Sequence, residues 1–262
     1  MSTEIRTINV TRYVTPLREG GSLPAIIEAD DDGLYVLKVR GAGQGLKALV
    51  AELLSGEIAR HLGLRVPDIV FANLDRELSR LEPDPEIQDL LRESAGSNLA
   101  MDFLPGSMTF DPVVETVDVE LASQIVWLDA LITNVDRTAR NTNMLMWHKK
   151  LWLIDHGASL FFHHAWLNWE EQSRRPFTQI KDHVLLRYAT ELEAVDQDFK
   201  ARLAADVIAK IVDLIPDEWL ADELQLRSVA EKRVVYKTFL QNRIEHSRVF
   251  VEEAQRAREA SV

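Results

Sequence analysis

The residues best suited to chemistry in this sequence are two aspartates and an asparagine in its middle third. Asp136 and Asn141 stand in an Asp-x4-Asn spacing within a polar loop, and Asp155 follows further along the chain. Carboxylate and carboxamide oxygens are ligands that Mg²⁺ accepts, and this ion is commonly held by one or two carboxylates together with substrate phosphates. The order of the three residues is that of a magnesium site for phosphoryl transfer.

A β-hairpin is predicted between Asn141 and Asp155. Two short apolar runs, Met144–Trp147 and Leu151–Ile154, are separated by a polar stretch. In an antiparallel pair, the start of one strand lies beside the end of the other, so Asn141 and Asp155 should be close together. We also expect Gly157 to let the backbone turn sharply behind Asp155.

A lysine in an apolar strand is the second candidate. Lys38 lies in the predicted strand Leu34–Val39, although lysine is depleted in strands. The spacing of apolar residues predicts that an amphipathic helix, Leu46–Leu62, follows it and ends at Gly63. A lysine that contacts ATP phosphates needs a carboxylate to orient it, and either Glu52 or Glu57 of this helix could serve.

The remaining elements indicate a strand-rich first part and a helical last part. Further strands are predicted at residues 4–15, Ala25–Ala29, Asp68–Leu74 and Asn98–Leu104. Residues 75–96 are interpreted as a surface insertion. Asp118 is expected to cap a helix that runs to about Ile132, and helices dominate beyond about residue 197.

A turn near the N-terminus is a candidate phosphate contact. Gly20, Gly21 and Ser22 would supply backbone N–H groups that could lie over the phosphates of ATP.

Taken in order, these motifs resemble the HipA-like branch of the protein-kinase-like superfamily, and more loosely the phosphatidylinositol kinases. The resemblance is carried by Tyr35-Val36-Leu37-Lys38, by the stretch from Asn134 to Asn141 (NVDRTARN), and by Leu153-Ile154-Asp155-His156-Gly157. It implies an α+β, two-lobed protein-kinase-like fold. We place the N-lobe at 1–101 and the C-lobe at 102–262.

The resemblance also implies a role for each matching residue. Lys38 would contact the phosphates of ATP, with Glu52 as its helix partner and Glu57 as second choice. Asp136 would orient or deprotonate the acceptor hydroxyl. Asn141 and Asp155 would bind Mg²⁺. The backbone of Met101, Asp102 and Phe103 would pair with adenine as the hinge.

Departures from the family pattern leave two other functions open. Only Gly20-Gly21 stands where a glycine-rich loop is usual, Thr138 replaces a lysine or histidine, and His156 replaces a phenylalanine. The chain could therefore be a nucleotide-binding module without transfer activity, or a nucleotidyl transferase on the same fold. Each motif alone could also be structural, since Asp and Asn often only form turns. The required order of the motifs favours the kinase.

Composition excludes several other classes of protein. With 30 basic and 42 acidic residues the formal charge is −12, so a nucleic acid would be repelled on average. No cysteine is present, which excludes disulfides and thiolate metal sites. No apolar run approaches the ~20 residues of a membrane helix. We expect a soluble, cytoplasmic protein that binds ATP and an unidentified acceptor, either protein Ser/Thr or a small molecule.

Overall fold

The computed structural model describes residues 4–17, 23–43, 45–221 and 227–260. The predicted phosphate contacts Gly20, Gly21 and Ser22 lie outside these ranges.

Five strands form a closed barrel in the N-terminal part. They are β1 (Thr7–Pro16), β2 (Ala25–Ala29), β3 (Leu34–Lys38), β4 (Ile69–Leu74) and β5 (Gly96–Asp102), in the order β1-β2-β3-β5-β4. All neighbours are antiparallel except β1 and β4, which close the barrel in parallel. Because side chains alternate along a strand, the buried Tyr35 and Leu37 fill the barrel and Lys38 lies on the other face of β3.

One helix, α1 (Leu46–His61), joins β3 to β4 and lies in the main core of the protein. Leu49, Leu53 and Ile58 belong to a hydrophobic cluster that continues into the C-terminal part. Gly63 follows the helix with φ of +83°, the left-handed conformation that glycine adopts at little cost. The predicted helix and its glycine end are confirmed.

The segment between β4 and β5, which was interpreted as a surface insertion, forms regular secondary structure. A 3₁₀ turn (Arg76–Leu81) and helix α2 (Pro85–Glu93) form there, and Asp84 caps the helix by accepting the Glu86 N–H at 3.0 Å. Leu91 is buried, and it packs with neighbouring apolar residues against the interior of the barrel. The apolar residues of this segment recur at helical spacing, so α2 presents them on one side. That side packs on the barrel.

The C-terminal part is mainly helical. Its long buried helix, α3 (Val119–Ile132), begins as predicted at Asp118, which accepts the N–H groups of Glu120 and Leu121. Trp127 of this helix contacts the rings of Phe199 and Phe250 edge-on. The other helices are α4 (Trp169–Gln172), α5 (Leu192–Arg202), α6 (Ala205–Asp213), α7 (Asp217–Leu220), α8 (Val229–Glu245) and α9 (Arg248–Ala260).

The predicted hairpin is present as β7 (Met144–Trp147) and β8 (Lys150–Leu153). A two-residue strand that was not predicted, β6 (Met108–Thr109), pairs with β7 and completes a small sheet. The sequence of β6 is too short to carry a strand pattern. Nowhere in the described ranges is a helix both long and apolar enough to cross a membrane.

The two parts of the chain also meet through α7. The indole of Trp219 contacts the ring of Phe71 at 5.5 Å between centroids, and its N–H donates to the carbonyl of Ser97 at 3.2 Å. Arg40 forms an ion pair with Glu218 at 3.4 Å. These contacts join the C-terminal helices to β4, to β5 and to the chain just after β3.

Candidate functional site

Lys38 lies between two carboxylates where the two parts of the chain meet. Its ammonium donates to Glu52 Oε2 at 2.6 Å and to Asp155 Oδ1 at 2.7 Å. The side chain of Glu52 is fully buried, whereas that of Asp155 is 42% exposed. The strand, helix α1 and the end of the hairpin thus bring one cation and two anions together, with Asp155 on the open side.

The charges in this cluster stabilise one another. Burial alone would lower the pKa of Lys38, but the charges of Glu52 and Asp155 raise it above its usual value. Burial would likewise raise the pKa of Glu52, but the charge of Lys38 and the hydrogen bond from His156 hold it well below its usual range. Lys38 and Glu52 are therefore both charged at neutral pH.

Glu57 occupies a different position from Glu52. It is largely buried, and its carboxylate lies 3.6 Å from Arg60 on the same helix. Desolvation raises the pKa of Glu57, in contrast to the lowered pKa of Glu52. Of the two glutamates left open by the sequence, Glu52 is the one in contact with Lys38.

Hydrogen bonds of His156 join the turn after Asp155 to helix α1. Its backbone N–H donates to Glu52 Oε2 at 2.8 Å, and its Nδ1 lies 3.2 Å from Glu52 Oε1. The ring is fully buried, and its Nε2 has no hydrogen-bond partner among the described residues. The histidine that departs from the kinase pattern is therefore a buried partner of Glu52.

The chain bends sharply behind the hairpin. Asp155 has φ of +55°, an uncommon conformation for a residue other than glycine. Gly157 lies in the turn that follows, where the Ser159 N–H donates to the carbonyl of His156 at 3.1 Å, so the expected turn is present, although Gly157 has no positive φ. A Cβ at Gly157 would lie 3.7 Å from its nearest neighbours, which include Glu52 Oε2, so the position has ordinary space.

Asp136 is held by two asparagines of its own loop. Asn141 Nδ2 donates to Asp136 Oδ2 at 2.9 Å, and Asn143 Nδ2 lies 3.3 Å from the same oxygen. The N–H of Ile154 donates to the carbonyl of Asn143 at 3.0 Å, so the hairpin ladder continues beyond its strands toward Asp155. The loop of Asp136 and the chain that leaves β8 therefore lie side by side at the open end of the hairpin.

A buried network below the loop fixes its course. Asp129 Oδ2 accepts from Arg137 Nε at 2.5 Å and from His183 Nε2 at 2.9 Å, while its other oxygen accepts from Asn134 Nδ2 at 3.0 Å. Asn134 Oδ1 in turn accepts the Asp136 N–H at 3.1 Å. Asp136 is thus positioned from the buried C-terminal half of α3.

Arg137 also ties the loop to the hairpin. One of its terminal nitrogens donates to the carbonyl of Asn143 and lies 3.5 Å from that of Ile154. Burial would raise the pKa of Asp129, but the charge of Arg137 and the hydrogen bond from His183 hold it well below its usual range. Asp129, Asn143 and His183 were not singled out from the sequence. Asp129 gives a local signal, since it is a carboxylate within an otherwise apolar helix.

The hinge residues are only partly available for a ligand. The Asp102 N–H donates to the carbonyl of Asp68 at 2.8 Å, and the Phe103 N–H donates to that of Leu34 at 3.0 Å. Both N–H groups are therefore used within the barrel, and Met101 is buried. The next N–H along the chain, that of Leu104, makes no hydrogen bond with any described residue.

A divalent cation would find oxygen ligands at Asp155 and Asn141. Among the described residues, no three His, Asp or Glu side chains cluster closely enough to form a metal site by themselves. The donor set fits an ion that takes only one or two protein carboxylates and completes its shell with water and phosphate, as Mg²⁺ does. The exposed carboxylate of Asp155 suits this arrangement.

Two solved structures with a similar fold are kinases. The chain is similar to the proinflammatory kinase CtkA of Helicobacter pylori, with a TM-score of 0.54 and 14% identity over 98% of this chain and 100% of that one. It is also similar to the Golgi casein kinase with Mn/ADP bound, with a TM-score of 0.53 and 13% identity over 99% of this chain and 75% of that one. The fold is therefore protein-kinase-like, as predicted.

The sequence defines the family more narrowly. The family model described as HipA-like kinase matches residues 10–248, so the chain belongs to the HipA-like kinases. No curated protein matches the sequence. The resemblance found in the motifs is confirmed, and the chain is a kinase-type phosphotransferase.

Proposed function

We propose that this protein transfers the γ-phosphate of ATP, with Mg²⁺, to a hydroxyl group of an acceptor not yet identified. The observation that carries the proposal is the contact of Lys38 with both Glu52 and Asp155. This cluster lies beside the loop that carries Asp136 and Asn141. A related fold is known with Mn/ADP bound, which supports the use of a nucleotide and a divalent metal here.

Each residue then has a defined task. Lys38 binds phosphate oxygens and is oriented by Glu52. Asp155 and Asn141 hold Mg²⁺, which neutralises charge on the phosphates. Adenine pairs with the hinge, where the Leu104 N–H is the available donor and the N–H groups of Asp102 and Phe103 are not.

Asp136 positions the acceptor for an in-line reaction. Its carboxylate accepts the proton of the acceptor hydroxyl as the oxygen forms a bond to the γ-phosphorus, while the bond to the β–γ bridging oxygen of ATP breaks. ADP leaves with the electron pair of that bond. Asn141 and Asn143 hold Asp136 in a fixed orientation, which reduces the entropic cost of reaching the reactive geometry.

The first test is thermal unfolding with and without Mg–ATP. At ATP near 100 times its dissociation constant, binding adds about 2.7 kcal/mol to the free energy of unfolding. A chain of this size should gain about 2–4 °C in melting temperature per kcal/mol. The shift should require Mg²⁺ and vanish in Asp155→Ala. If no shift occurs at millimolar ATP, the proposed nucleotide site is wrong.

The second test identifies the group that is transferred. The protein is incubated with ATP labelled at the α- or the γ-phosphate, with serine and threonine peptides and with the protein itself as acceptors. We expect label only from the γ position, and none with Asp136→Ala. Label from the α position would identify a nucleotidyl transferase instead.

A further inference from the structure

A cavity beside the loop of Asp136 has no assigned role. Its volume is about 440 Å³, and it is lined by Val135, by the two phenylalanines at 161 and 162, and by residues of α8. Val135 directly precedes Asp136, so their Cα atoms are about 3.8 Å apart. The volume is in the range of small-ligand sites. The cavity therefore borders the place where the proposed acceptor hydroxyl must lie.

The charge of this cavity is opposite to that of the protein as a whole. Arg175 and Arg243 line it, and no aspartate or glutamate is among the described residues that line it. The chain carries a formal charge of −12. Two arginines in a wall without acidic side chains, in so acidic a protein, make a local site that favours an anion.

Arg243 is a buried cation without a carboxylate partner in the described residues. Its guanidinium donates to the carbonyls of Ala130, Leu131 and Arg175, at 2.6, 2.8 and 3.0 Å. Burial lowers its pKa to about 9, and no neighbouring charge opposes this shift. The C-terminal carbonyls of α3 offset part of the cost of burying the charge, since cations are favoured there. An anion in the cavity would offset more of this cost.

Arg175 can turn toward a ligand at a small cost in free energy. Its side chain is 61% exposed, and its partner Glu171 lies one helical turn earlier in the sequence. Exposed ion pairs of this kind contribute little to stability. An anionic ligand in the cavity could therefore replace Glu171 as the partner of Arg175.

Four phenylalanines form the apolar part of the cavity wall, beside polar residues such as Gln172 and Gln179. Phe162 and Phe239 stack at 3.9 Å between centroids, and Phe177 is buried beside them. Phe161 remains 62% exposed, which is unusual for so large an apolar side chain. An apolar group of a ligand would cover the exposed face of Phe161.

From these observations we infer that the cavity binds the part of the phosphate acceptor that carries a carboxylate next to an apolar group. The acceptor hydroxyl then extends past Val135 to Asp136. This inference rests on the proposed function, and it adds the chemical class of the acceptor: an anionic, partly apolar molecule or side chain.

Phenylacetate is a suitable probe, with phenylacetamide as its neutral counterpart. Binding is measured by ligand-observed NMR on the full chain saturated with Mg–ADP, so that the nucleotide site is filled. We expect phenylacetate to bind saturably and phenylacetamide to bind at least tenfold more weakly, since a charge-assisted hydrogen bond is lost. Equal binding of the two probes, or no saturable binding at millimolar phenylacetate, would overturn the inference.

Variants at exposed positions locate the binding. Arg175→Gln and Phe161→Ala should each weaken phenylacetate binding about tenfold. The controls are Arg174→Gln and Leu167→Ala, because both residues are exposed and neither lines the cavity. If the control variants weaken binding as much as the cavity variants, the assignment to this cavity is wrong.

Replacing Mg²⁺ by Mn²⁺ tests the link with the proposed active site. Paramagnetic Mn²⁺ at Asn141 and Asp155 should broaden the signals of bound phenylacetate, and Mg–ADP should not. Asp155→Ala should abolish the broadening but still bind the probe. Binding without broadening in the Mn–ADP complex would place the probe elsewhere and refute the inference. Failure of Mn–ADP itself to bind would instead refute the nucleotide site.

Discussion

The backbone N–H of His156 donates a 2.8 Å hydrogen bond to Glu52 Oε2. This bond joins the turn that follows Asp155 to the middle of α1. The same glutamate oxygen accepts from Lys38 at 2.6 Å. The orientation of the lysine and the course of the chain past the proposed metal ligand therefore depend on one buried carboxylate.

Glu52→Gln should remove the charge that pairs with Lys38. The amide has the same shape, and its one oxygen can still accept from Lys38 and from the His156 N–H, but it is neutral. Removing one partner of a buried ion pair costs about 3–5 kcal/mol, so we expect a melting temperature lower by several degrees and no Mg–ATP shift. Thermal unfolding with and without Mg–ATP measures both effects.

Glu57→Gln is the matched control, because Glu57 is on the same helix and contacts Arg60 rather than Lys38. It should keep the Mg–ATP shift. Loss of the shift in both variants would mean that helix α1, and not the contact between Glu52 and Lys38, is the sensitive feature.

Gly157→Ala should leave the protein folded and able to bind Mg–ATP. The backbone at Gly157 has no positive φ, and a Cβ there would stand 3.7 Å from Ala48 and from Glu52 Oε2. Where alanine fits without strain, replacing glycine stabilises a protein by about 0.4–1 kcal/mol through the unfolded state. Urea unfolding measures the stability, and the Mg–ATP shift measures binding. A loss of stability above 1 kcal/mol would show that the position is strained.

Asp136→Asn should separate nucleotide binding from transfer. Asp136 touches Asn141 and Asn143 but not Lys38, so the variant should keep the Mg–ATP shift in melting temperature. Removal of the proton acceptor should lower the rate of γ-phosphate transfer by about 10²–10⁴-fold. A variant that transfers label at the wild-type rate would remove Asp136 from the mechanism.

The order of elements was predictable because local patterns determine it. Short apolar runs beside turn signals gave β2 and β3, and the spacing of apolar residues gave α1 and α3. Asp118 marked its helix start correctly, since an N-cap needs only a side chain and the next turn of backbone. Lys38 was singled out because lysine is depleted in strands, and the resemblance to a family favoured Glu52 over Glu57 as its partner.

Contacts between distant segments were not predictable in the same way. The bond from His156 to Glu52 spans 104 residues along the chain, and no sequence pattern near either residue predicts it. His183 reaches Asp129 across 54 residues. The turn expected at Gly157 is present, but the positive φ falls on Asp155, which the sequence did not indicate.

The buried network of Asp129 gives a prediction for pH dependence. Its folded pKa lies well below the usual value, because the charge of Arg137 and the hydrogen bond from His183 outweigh burial. A carboxylate with a lowered folded pKa stabilises the protein fully above its unfolded pKa of about 3.9. That contribution is lost as the pH falls from there toward the folded pKa.

Asp129→Asn should therefore lower the free energy of unfolding by about 3–5 kcal/mol at pH 7, since it leaves Arg137 buried without a carboxylate. The difference from the wild type should shrink as the pH falls below about 4, where the wild type begins to lose the same contribution. Urea unfolding across this range measures the difference. Asp198→Asn is the control, because Asp198 is exposed and forms a surface ion pair with Arg202, so its effect should stay near zero. A difference between Asp129→Asn and the wild type that stays constant down to pH 3 would mean that packing, and not the charge of Asp129, holds the loop of Asp136 in place.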